Sequence, residues 1–290
     1  MLSCLSGADL DRLIAEDLPH GDLTTETLQR TLGPGLLTHG GRQCRIRLSA
    51  RVEMRVCGIE EAYRLFERLG AQAECHVASG RTLPAGSLLL SAHGGVAAVF
   101  AGWKLAQTLI EWASGIATAV ANMVEVVQAA SPDTIVACTR KTAPFTRGLA
   151  VKAVRAGGGN MHRLNLSDSL LLFPEHAQLF DAGISLPDAA SALRRVEPER
   201  SLVAEVLTVE QAQQLAAHVQ VLQLEKFSVT DVAEVATFLK QQSLSTVLAA
   251  AGGINVDNAA AYAAAGARVL VTSWPYQARP RDVQVQFHVT

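Results

Sequence analysis

The chain has 290 residues, of which 49% are apolar and 18% are charged, and its formal net charge is −2. A chain of this length can bury a full core as one large α/β domain or as two smaller ones. We expect no bilayer-spanning segment and no signal peptide, because no apolar run approaches the necessary length and the N-terminus lacks a basic segment followed by an apolar core.

Cysteine and histidine usage indicates a reducing compartment. The cysteines are scattered, odd in number and contain no C-x-x-C pair, at Cys4, Cys44, Cys57, Cys75 and Cys138. This pattern is typical of free thiols and not of a disulfide framework or a zinc site. The eight histidines are equally dispersed, and none pairs at metal-ligand spacing. We therefore expect a cytoplasmic protein.

The first hundred residues predict an α+β domain. Residues 8–18 predict a short helix that ends at the polar turn of Pro19 and Gly21, after which Asp22 can cap the next segment. Residues 44–56 alternate apolar and polar side chains, which predicts one long strand buried on a single face. The arginines on its other face indicate that this face is exposed to solvent or contacts a partner subunit. A helix is predicted at 59–69.

Residues 96–130 predict a long helical segment. The pair Ser114-Gly115 predicts a break near its middle. Tryptophans at the spacing found in its first half are more often core residues than a platform for a ligand. Lys104 is the only basic residue in this segment.

After Pro132, apolar strand-like runs alternate with helical segments. The runs lie at 134–138, 169–173, 201–206, 220–224, 246–251 and 268–272. Alternating β and α units predict a parallel sheet with helices outside it. Because no G-x-G-x-x-G follows the first strand, we favour a complete or open TIM-like α/β barrel over a doubly wound sheet.

The end of the chain alternates again. We predict that the strand at 282–290 returns to the sheet of the N-terminal domain. The predicted domains are residues 1–112, joined by 276–290, and a barrel at 113–275.

One segment, residues 139–163, concentrates positive charge. Six Lys or Arg residues and no Asp or Glu lie between Thr134 and Ser167, so the rest of the chain sums to −8. A basic segment in an otherwise acidic chain indicates a binding site for a small polyanion. A nucleic-acid-binding surface would need basic residues spread over a wider face. A solvated helix face explains Arg147, Lys152 and Arg155 equally well, but it does not explain Arg140 and Lys141, which follow an apolar run.

Residues at the predicted strand ends have the chemistry of an anion and metal site, as expected at the C-terminal face of a barrel. They are Arg140, Lys141, Glu205, Glu225, Lys226, Gly252, Gly253, Thr272 and Ser273. The two glutamates are candidate magnesium ligands, and the basic and glycine positions are candidate phosphate contacts. For either carboxylate alone, a structural ion pair is slightly the better interpretation. The triple glycine at 157–159 predicts a helix cap that aims His162 and Arg163 at the barrel mouth.

These motifs together resemble a known family. T-R-K-T and G-G-G-x-x-H-R, preceded by E-D-L-x-x-G-D-L-T-T and followed by A-G-G-I, resemble the quinolinate phosphoribosyltransferases, or nicotinate-nucleotide pyrophosphorylases, from Glu16 to about Ser273. Within that family, the segments GWKLAQTLIEWASGIAT, LQLEKFS and LAAAGGINVDNAAAYAAAGA resemble the pyrophosphorylase-like branch associated with molybdate transport.

The resemblance implies a fold, an assembly and a reaction. The fold is an N-terminal α/β sandwich followed by an open α/β barrel. The assembly is a dimer in which the N-terminal domain of one subunit closes the barrel mouth of the other, and a higher oligomer is an alternative. In the reaction, a ring nitrogen of a heterocyclic acceptor attacks phosphoribosyl pyrophosphate and displaces pyrophosphate with the help of magnesium.

The resemblance also implies roles for particular residues. The catalytic residues would be Glu205, Glu225 and Lys141, and the two glutamates would also hold magnesium. The substrate-binding residues would be Lys104, Arg140, Lys141, His162, Arg163, Phe173, Gly252, Gly253 and Ser273. The expected partners are therefore small molecules, with neither nucleic acid nor membrane.

Several positions depart from the family pattern. Lys104 stands for an arginine, Phe173 for a lysine, Ala251 for a serine, and Glu225-Lys226 for D-N. Loss of a lysine that would pair with a dicarboxylate argues against quinolinate as the acceptor, because an unpaired buried carboxylate is costly. Two alternatives stay open: an authentic quinolinate phosphoribosyltransferase of NAD synthesis, and a non-catalytic anion binder.

Overall fold

The computed structural model describes residues 4–32, 43–180 and 183–289. Where they are described, the residues fall into two compact units. The first unit comprises Met1–Ala121, Ala143–Gly158 and Gln277–Thr290. The second unit comprises Asn122–Thr142 and Gly159–Tyr276.

Helices and strands occur in the following order. The first part of the chain holds α1 (Gly7–Asp17), α2 (Leu23–Leu32), β1 (Gln43–Ala50), β2 (Met54–Arg55), α3 (Ile59–Arg68), β3 (Gln72–Cys75), β4 (Thr82–Leu83), β5 (Leu88–Gly95) and α4 (Val96–Ala130). The middle holds β6 (Ile135–Cys138), α5 (Arg147–Ala156), β7 (Asn160–Met161), β8 (Leu170–Leu172), α6 (Leu186–Val196), β9 (Leu202–Val206) and α7 (Val209–Leu215). The last part holds β10 (Val221–Glu225), α8 (Val229–Gln241), β11 (Val247–Ala251), α9 (Ala259–Ala264), β12 (Val269–Thr272) and β13 (Val283–Val289).

The first unit is built on a four-stranded antiparallel sheet in the order β13-β1-β5-β3. Alternate side chains of β1 are buried, from Cys44 to Ala50, which is the face that the sequence pattern predicts. Strand β13 pairs antiparallel with β1, so the predicted return of the chain's last strand to this sheet is confirmed for residues 283–289. Residue 290 lies outside the described residues.

The long strand predicted at 44–56 is divided in two. Strand β1 ends at Ala50, and Met54–Arg55 form the separate strand β2, which pairs with β4. The register of β1 against β5 shifts between Leu48 and Ser49, and the pairing of β1 with β13 ends at Ala50. Val52, predicted to face the core, lies between β1 and β2 and is exposed.

Helix α4 runs for 35 residues without the break predicted at Ser114-Gly115. The Ser114 hydroxyl accepts a hydrogen bond from the Cys57 N–H at 2.9 Å. A Cβ on Gly115 would lie 2.6 Å from the carbonyl oxygen of Arg279. The pair therefore allows close approach of other backbone to the helix and does not interrupt it.

The same helix contradicts the expectation that no apolar run is long enough to span a bilayer. By length and composition, α4 is apolar enough to cross a bilayer, so the expectation that no segment approaches that length is wrong. However, 61% of its most apolar window is buried inside the structure, as in a core helix of a soluble protein.

The second unit holds seven parallel strands in the order β7-β6-β12-β11-β10-β9-β8. Strands β8 to β12 lie side by side in chain order, and β12 then pairs with β6, which pairs with β7. Within the described residues β7 and β8 do not pair, so the sheet is a curled half-barrel. All six predicted runs form strands, and helices connect most of them. The structure adds β7, whose two residues are too few to show periodicity.

The two faces of this sheet carry different side chains. Outward residues of β9 to β12 pack with helices α6 to α9 in one apolar cluster, among them Ala204, Val206, Leu222, Leu224, Leu248, Ala250 and Leu270. Because side chains alternate along a strand, the intervening residues lie on the inner face. Those residues are Glu205, Gln223, Glu225, Ala249, Ala251 and Val271.

Candidate active site

Two carboxylates lie on the inner face of the half-barrel, on neighbouring strands. Glu205 on β9 is opposite Gln223 on β10, and the Gln223 Nε2 donates a hydrogen bond to Glu205 Oε2. Burial, and then the charge of Glu225, raises the pKa of Glu205. The nearby Lys141 ammonium opposes this shift without reversing it. The strands therefore hold two acids close enough to repel each other.

This donor set fits a magnesium ion that arrives with its substrate. In the described part of the chain, no group of three His, Cys, Asp or Glu residues could hold a metal ion. Magnesium is usually bound by one or two carboxylates together with phosphate oxygens and water, and seldom by a cage of protein ligands alone. Glu205 and Glu225 supply two carboxylates whose mutual repulsion a divalent cation would relieve.

Two basic pairs follow the neighbouring strands β6 and β7. Arg140 and Lys141 come just after β6, and His162 and Arg163 just after β7. The backbone N–H of His162 donates a hydrogen bond to the backbone carbonyl oxygen of Cys138 at 2.9 Å, which continues the pairing of the two strands. Burial, followed by the charge of Arg140, lowers the pKa of Arg163. The fold therefore brings the two arginines together at one end of the sheet.

Positive charge at this position is offset only at a distance, by Asp168 near Arg163. Arg163 is only 8% exposed. Among the residues that the structure describes, Arg140, Lys141 and Arg163 form no ion pair within 4 Å of a carboxylate. Buried or clustered guanidinium groups usually pair with a carboxylate or phosphate. A bound polyanion would supply that partner.

His162 differs electrostatically from its neighbours. Burial, and then the charge of Arg163, lowers its pKa below the usual value of 6.5. Near neutral pH its imidazole is therefore mostly uncharged. It can act there as a hydrogen-bonding group, while the arginines carry the charge.

Phe173 directly follows strand β8, which ends at Leu172. Leu172 pairs with Ala204, the residue that precedes Glu205 on β9. The Arg163 Cζ lies 6.0 Å from the centre of the Phe173 ring, within the range of a cation–π contact. The His176 ring stacks with it, with ring centres 5.8 Å apart. This position thus offers an aromatic face and no ammonium group.

Gly252 and Gly253 form the turn after β11, with φ of +84° and +80°. A Cβ on Gly252 would lie 2.8 Å from both Glu225 Oε1 and the backbone nitrogen of Lys226. The glycine therefore lets this turn pass close to the end of β10, where Lys226 itself has a φ of +59°. Ser273 is half-buried directly after β12, at the same end of the sheet.

Lys104 is separate from this group. It lies on α4 in the first unit and is exposed, whereas all the other predicted site residues belong to the second unit. Its Nζ lies 4.2 Å from the centre of the Trp103 ring and 3.2 Å from Gln107 Oε1.

Helix α5, which lies between the two basic pairs in sequence, is not a uniformly solvated basic face. Arg147 and Arg155 are exposed, but Lys152 is buried. Its Nζ donates to Glu60 Oε2 at 2.7 Å and to Glu61 Oε2 at 2.6 Å. The interpretation of Lys152 as a solvated residue is therefore wrong.

Sequence reasoning missed Gln223. This residue is 5% exposed, and its Oε1 is buried without a hydrogen-bond partner among the described residues. The available signal was a single polar residue at an inward position of the apolar strand VLQLE.

Comparison with known proteins covers both units. The family model described as the C-terminal domain of quinolinate phosphoribosyl transferase matches residues 116–286, and that of its N-terminal domain matches residues 22–114. A ModD pyrophosphorylase of Rhodobacter capsulatus is 46% identical over 86% of this chain and 92% of its own length. A ModD pyrophosphorylase of Pasteurella multocida is 36% identical over 97% and 96% of the two chains.

Solved structures share the fold at low identity. The nicotinate-nucleotide pyrophosphorylase of Francisella tularensis superposes with a TM-score of 0.84 at 22% identity, covering 96% of this chain and 94% of its own. That of Ehrlichia chaffeensis has the same TM-score and identity over 98% and 99% of the two chains.

Proposed function

Since the chain belongs to the quinolinate phosphoribosyl transferase family of pentosyltransferases, we propose that it transfers phosphoribose from phosphoribosyl pyrophosphate to a nitrogen heterocycle other than quinolinate. The chain is a phosphoribosyltransferase, and the predicted resemblance to this family and to its pyrophosphorylase-like branch is confirmed by the ModD relatives. The link to molybdate transport stays a prediction.

The proposal that the acceptor is not quinolinate rests on Phe173. Quinolinate brings two carboxylates, and each needs a cation or several donors when it is buried. Directly after β8 the chain places an aromatic ring. A second carboxylate at this position would meet that ring and not the ammonium group of the family pattern. An uncharged heterocycle that packs on the Phe173 ring fits this surface better.

The charges of the site suit the displacement of pyrophosphate. As the ring nitrogen forms its bond to the anomeric carbon, the bond from that carbon to the pyrophosphate oxygen breaks and pyrophosphate leaves with the electron pair. Arg140, Lys141 and Arg163 offset the negative charge of the leaving group. The carboxylates of Glu205 and Glu225 face the ribosyl carbon as it gains positive charge.

Magnesium is part of this proposal. Glu205 and Glu225 would hold it, and when bound it supplies positive charge to the phosphate oxygens. Gly252 and Gly253 would direct backbone N–H groups towards phosphate, and Ser273 a hydroxyl. His162, uncharged near neutral pH, would donate or accept a hydrogen bond there.

The family resemblance supports further details of the proposal. We propose that the curled sheet forms an open TIM-like barrel and that the protein is a cytoplasmic homodimer. Lys104 of one copy would then complete the site of the other. The domain boundary after residue 112 likewise stays a prediction.

Titration calorimetry with phosphoribosyl pyrophosphate, with and without magnesium and then with quinolinate, tests the proposal. We expect magnesium-dependent binding, no response to quinolinate, and pyrophosphate release with another nitrogen heterocycle. Quinolinate binding with turnover would favour the enzyme of NAD synthesis. Binding of phosphoribosyl pyrophosphate without turnover for any acceptor would favour the non-catalytic anion binder, and no binding would exclude the transferase.

A further inference from the structure

The exposed face of the four-stranded sheet in the first unit takes no part in the proposed function. Strand β1 buries Cys44, Ile46 and Leu48, so the residues between them, Arg45 and Arg47, lie on the opposite face and are exposed. A cavity of about 380 Å³ opens on this face. The polar residues that line it come from three neighbouring strands or directly follow them, and they are Arg45, Arg47, Glu74, His76, Ser91 and His93.

Strand register places these polar groups side by side. Across the sheet, Arg45 is opposite His93 and Arg47 is opposite Ser91. The Ser91 hydroxyl lies 2.9 Å from the Nε2 of His76, which directly follows β3. Opposed residues in a sheet have Cβ atoms about 5 Å apart, and alternate residues of one strand are about 7 Å apart. Long side chains on this face can therefore reach one small ligand together.

The charge of the two arginines has no counter-ion among the described residues. Neither Arg45 nor Arg47 lies within 4 Å of a carboxylate there. The Glu74 carboxylate, which also lines the cavity, lies 3.9 Å from His76 Nε2 and is 73% exposed. Guanidinium groups bind carboxylate or phosphate through two parallel hydrogen bonds. An anion between Arg45 and Arg47 would supply that partner and relieve the repulsion of two like charges.

The lining also restricts the kind of ligand. Leu88 and Ala92 are its apolar members, and no aromatic residue is among the described residues that line it. A nucleobase usually stacks on an aromatic side chain, so the cavity lacks a platform for one. Nucleic acid needs a wide basic face, and here the Glu74 carboxylate interrupts it. These features favour a small oxyanion with more than one negative charge.

We propose that this cavity binds a small oxyanion of the phosphate type, phosphate or pyrophosphate, through the guanidinium groups of Arg45 and Arg47. Ser91 and His93 would add hydrogen bonds. All of the lining residues belong to the first unit, whereas the carboxylates and both basic pairs of the candidate active site belong to the second. The inference therefore stands whether or not the chain transfers phosphoribose. A free ion and the phosphate group of a larger metabolite share this chemistry.

Calorimetric titration with inorganic phosphate, pyrophosphate and AMP tests the proposal. Arg45→Gln and Arg47→Gln, made singly, each remove one positive charge and keep a polar side chain. Each is also made together with Arg140→Ala, which separates binding in the cavity from binding at the candidate active site. Arg81→Gln is the control, because it removes one exposed charge of the same unit outside the cavity.

We expect phosphate and pyrophosphate binding that persists in Arg140→Ala and that each cavity substitution weakens by about tenfold or more, as the loss of one charged hydrogen bond predicts. Arg81→Gln should change the affinity by no more than about twofold, because salt screens a distant exposed charge. Glu74→Gln should strengthen binding, since it removes a negative charge from the lining. AMP should bind no more tightly than phosphate.

Thermal unfolding gives a second measurement. Without phosphate, the melting temperatures of Arg45→Gln and Arg47→Gln should match that of the wild type, because neither arginine has an ion-pair partner among the described residues. Phosphate should raise the melting temperature of the wild type more than that of either variant, because an ion that binds the folded state stabilises it.

Other results overturn the proposal in distinguishable ways. Anion binding that is lost in Arg140→Ala and unchanged in both cavity variants would place all of it at the candidate active site. Equal weakening by Arg81→Gln would show an effect of net charge and no site. AMP binding more than about tenfold tighter than phosphate would replace the free ion with a phosphorylated metabolite as the ligand. No binding of any of the three probes would exclude the site altogether.

Discussion

Single residues determine the charge of the candidate site, and substitution of Arg140 tests whether that charge binds phosphoribosyl pyrophosphate. Arg140 lies close enough to Arg163 to lower its pKa and has no ion-pair partner among the described residues. We expect Arg140→Ala to weaken phosphoribosyl pyrophosphate binding by about 1.5–3 kcal/mol, the scale of a hydrogen bond to a charged group. Calorimetry measures this, with Arg147→Ala on the exposed face of α5 as the control. An unchanged affinity would place the anion elsewhere.

Phe173 allows a test of specificity. Phe173→Lys restores an ammonium group where the family pattern has a lysine, so quinolinate binding should improve by about tenfold or more, as one charged hydrogen bond predicts. Phe173→Leu is the control, because it removes the ring without adding charge. If both variants behave alike towards quinolinate, the end of β8 does not form the acceptor pocket.

His162 gives the site a defined pH dependence. Because burial and then the charge of Arg163 lower its pKa, the unfolded state binds this proton more readily than the folded state. The contribution to stability is therefore full above about pH 6.5 and declines as the pH falls below it. An NMR titration of the ligand-free protein should give a midpoint below 6.5, and added pyrophosphate should raise it. A midpoint at or above 6.5 without ligand would contradict the buried geometry.

Among the helices, α5 depends on a buried ion cluster. Lys152 donates to Glu60 and Glu61, and the Lys152 and Glu61 side chains are 2% and 0% exposed. Burial acts against the charged form of Glu60, but hydrogen bonds from Lys152 and Ser79 outweigh it and hold its pKa below the usual value. The contribution of Glu60 to stability is therefore present above its unfolded pKa of about 4.5 and lost as the pH falls through its folded pKa.

We expect Lys152→Ala to reduce the free energy of unfolding by about 3–5 kcal/mol, because it removes the ammonium group that faces the fully buried Glu61 carboxylate. Chemical denaturation at neutral pH measures the loss. Arg155→Ala, on the exposed side of the same helix, should change stability by no more than about 0.5 kcal/mol. Equal effects of the two substitutions would mean that the cluster contributes little.

For the whole molecule, the predicted dimer can be tested through two residues of different units. If Lys104 of one copy completes the site that contains Arg140 of the other, Lys104→Ala and Arg140→Ala damage the same site from different chains. Mixing the two variants after subunit exchange should then restore about a quarter of wild-type activity, since half of the dimers are hybrids with one intact site. Hybrid dimers that form without recovering activity would show that each site lies within one chain.

Much of the fold and the positions of the candidate site residues could be predicted from the sequence. The six apolar runs form strands, and Arg140, Glu225 and Ser273 lie at strand ends as predicted. The predictions failed where distant segments meet. Ser114-Gly115 predicts a helix break, but backbone from residues 57 and 279 approaches the helix there.

The sequence by itself determined the family, the alternation of β and α units, and the placement of Arg140 and Lys141 after a strand, because these follow from local periodicity and motif spacing. Only the tertiary structure decided that Lys152 is a buried ion-pair residue, since its carboxylate partner Glu61 lies 91 residues away. It also decided that the Gln223 amide faces Glu205, because strand register sets which side chains meet across a sheet. Contacts between residues far apart in the chain leave no local pattern from which they could be predicted.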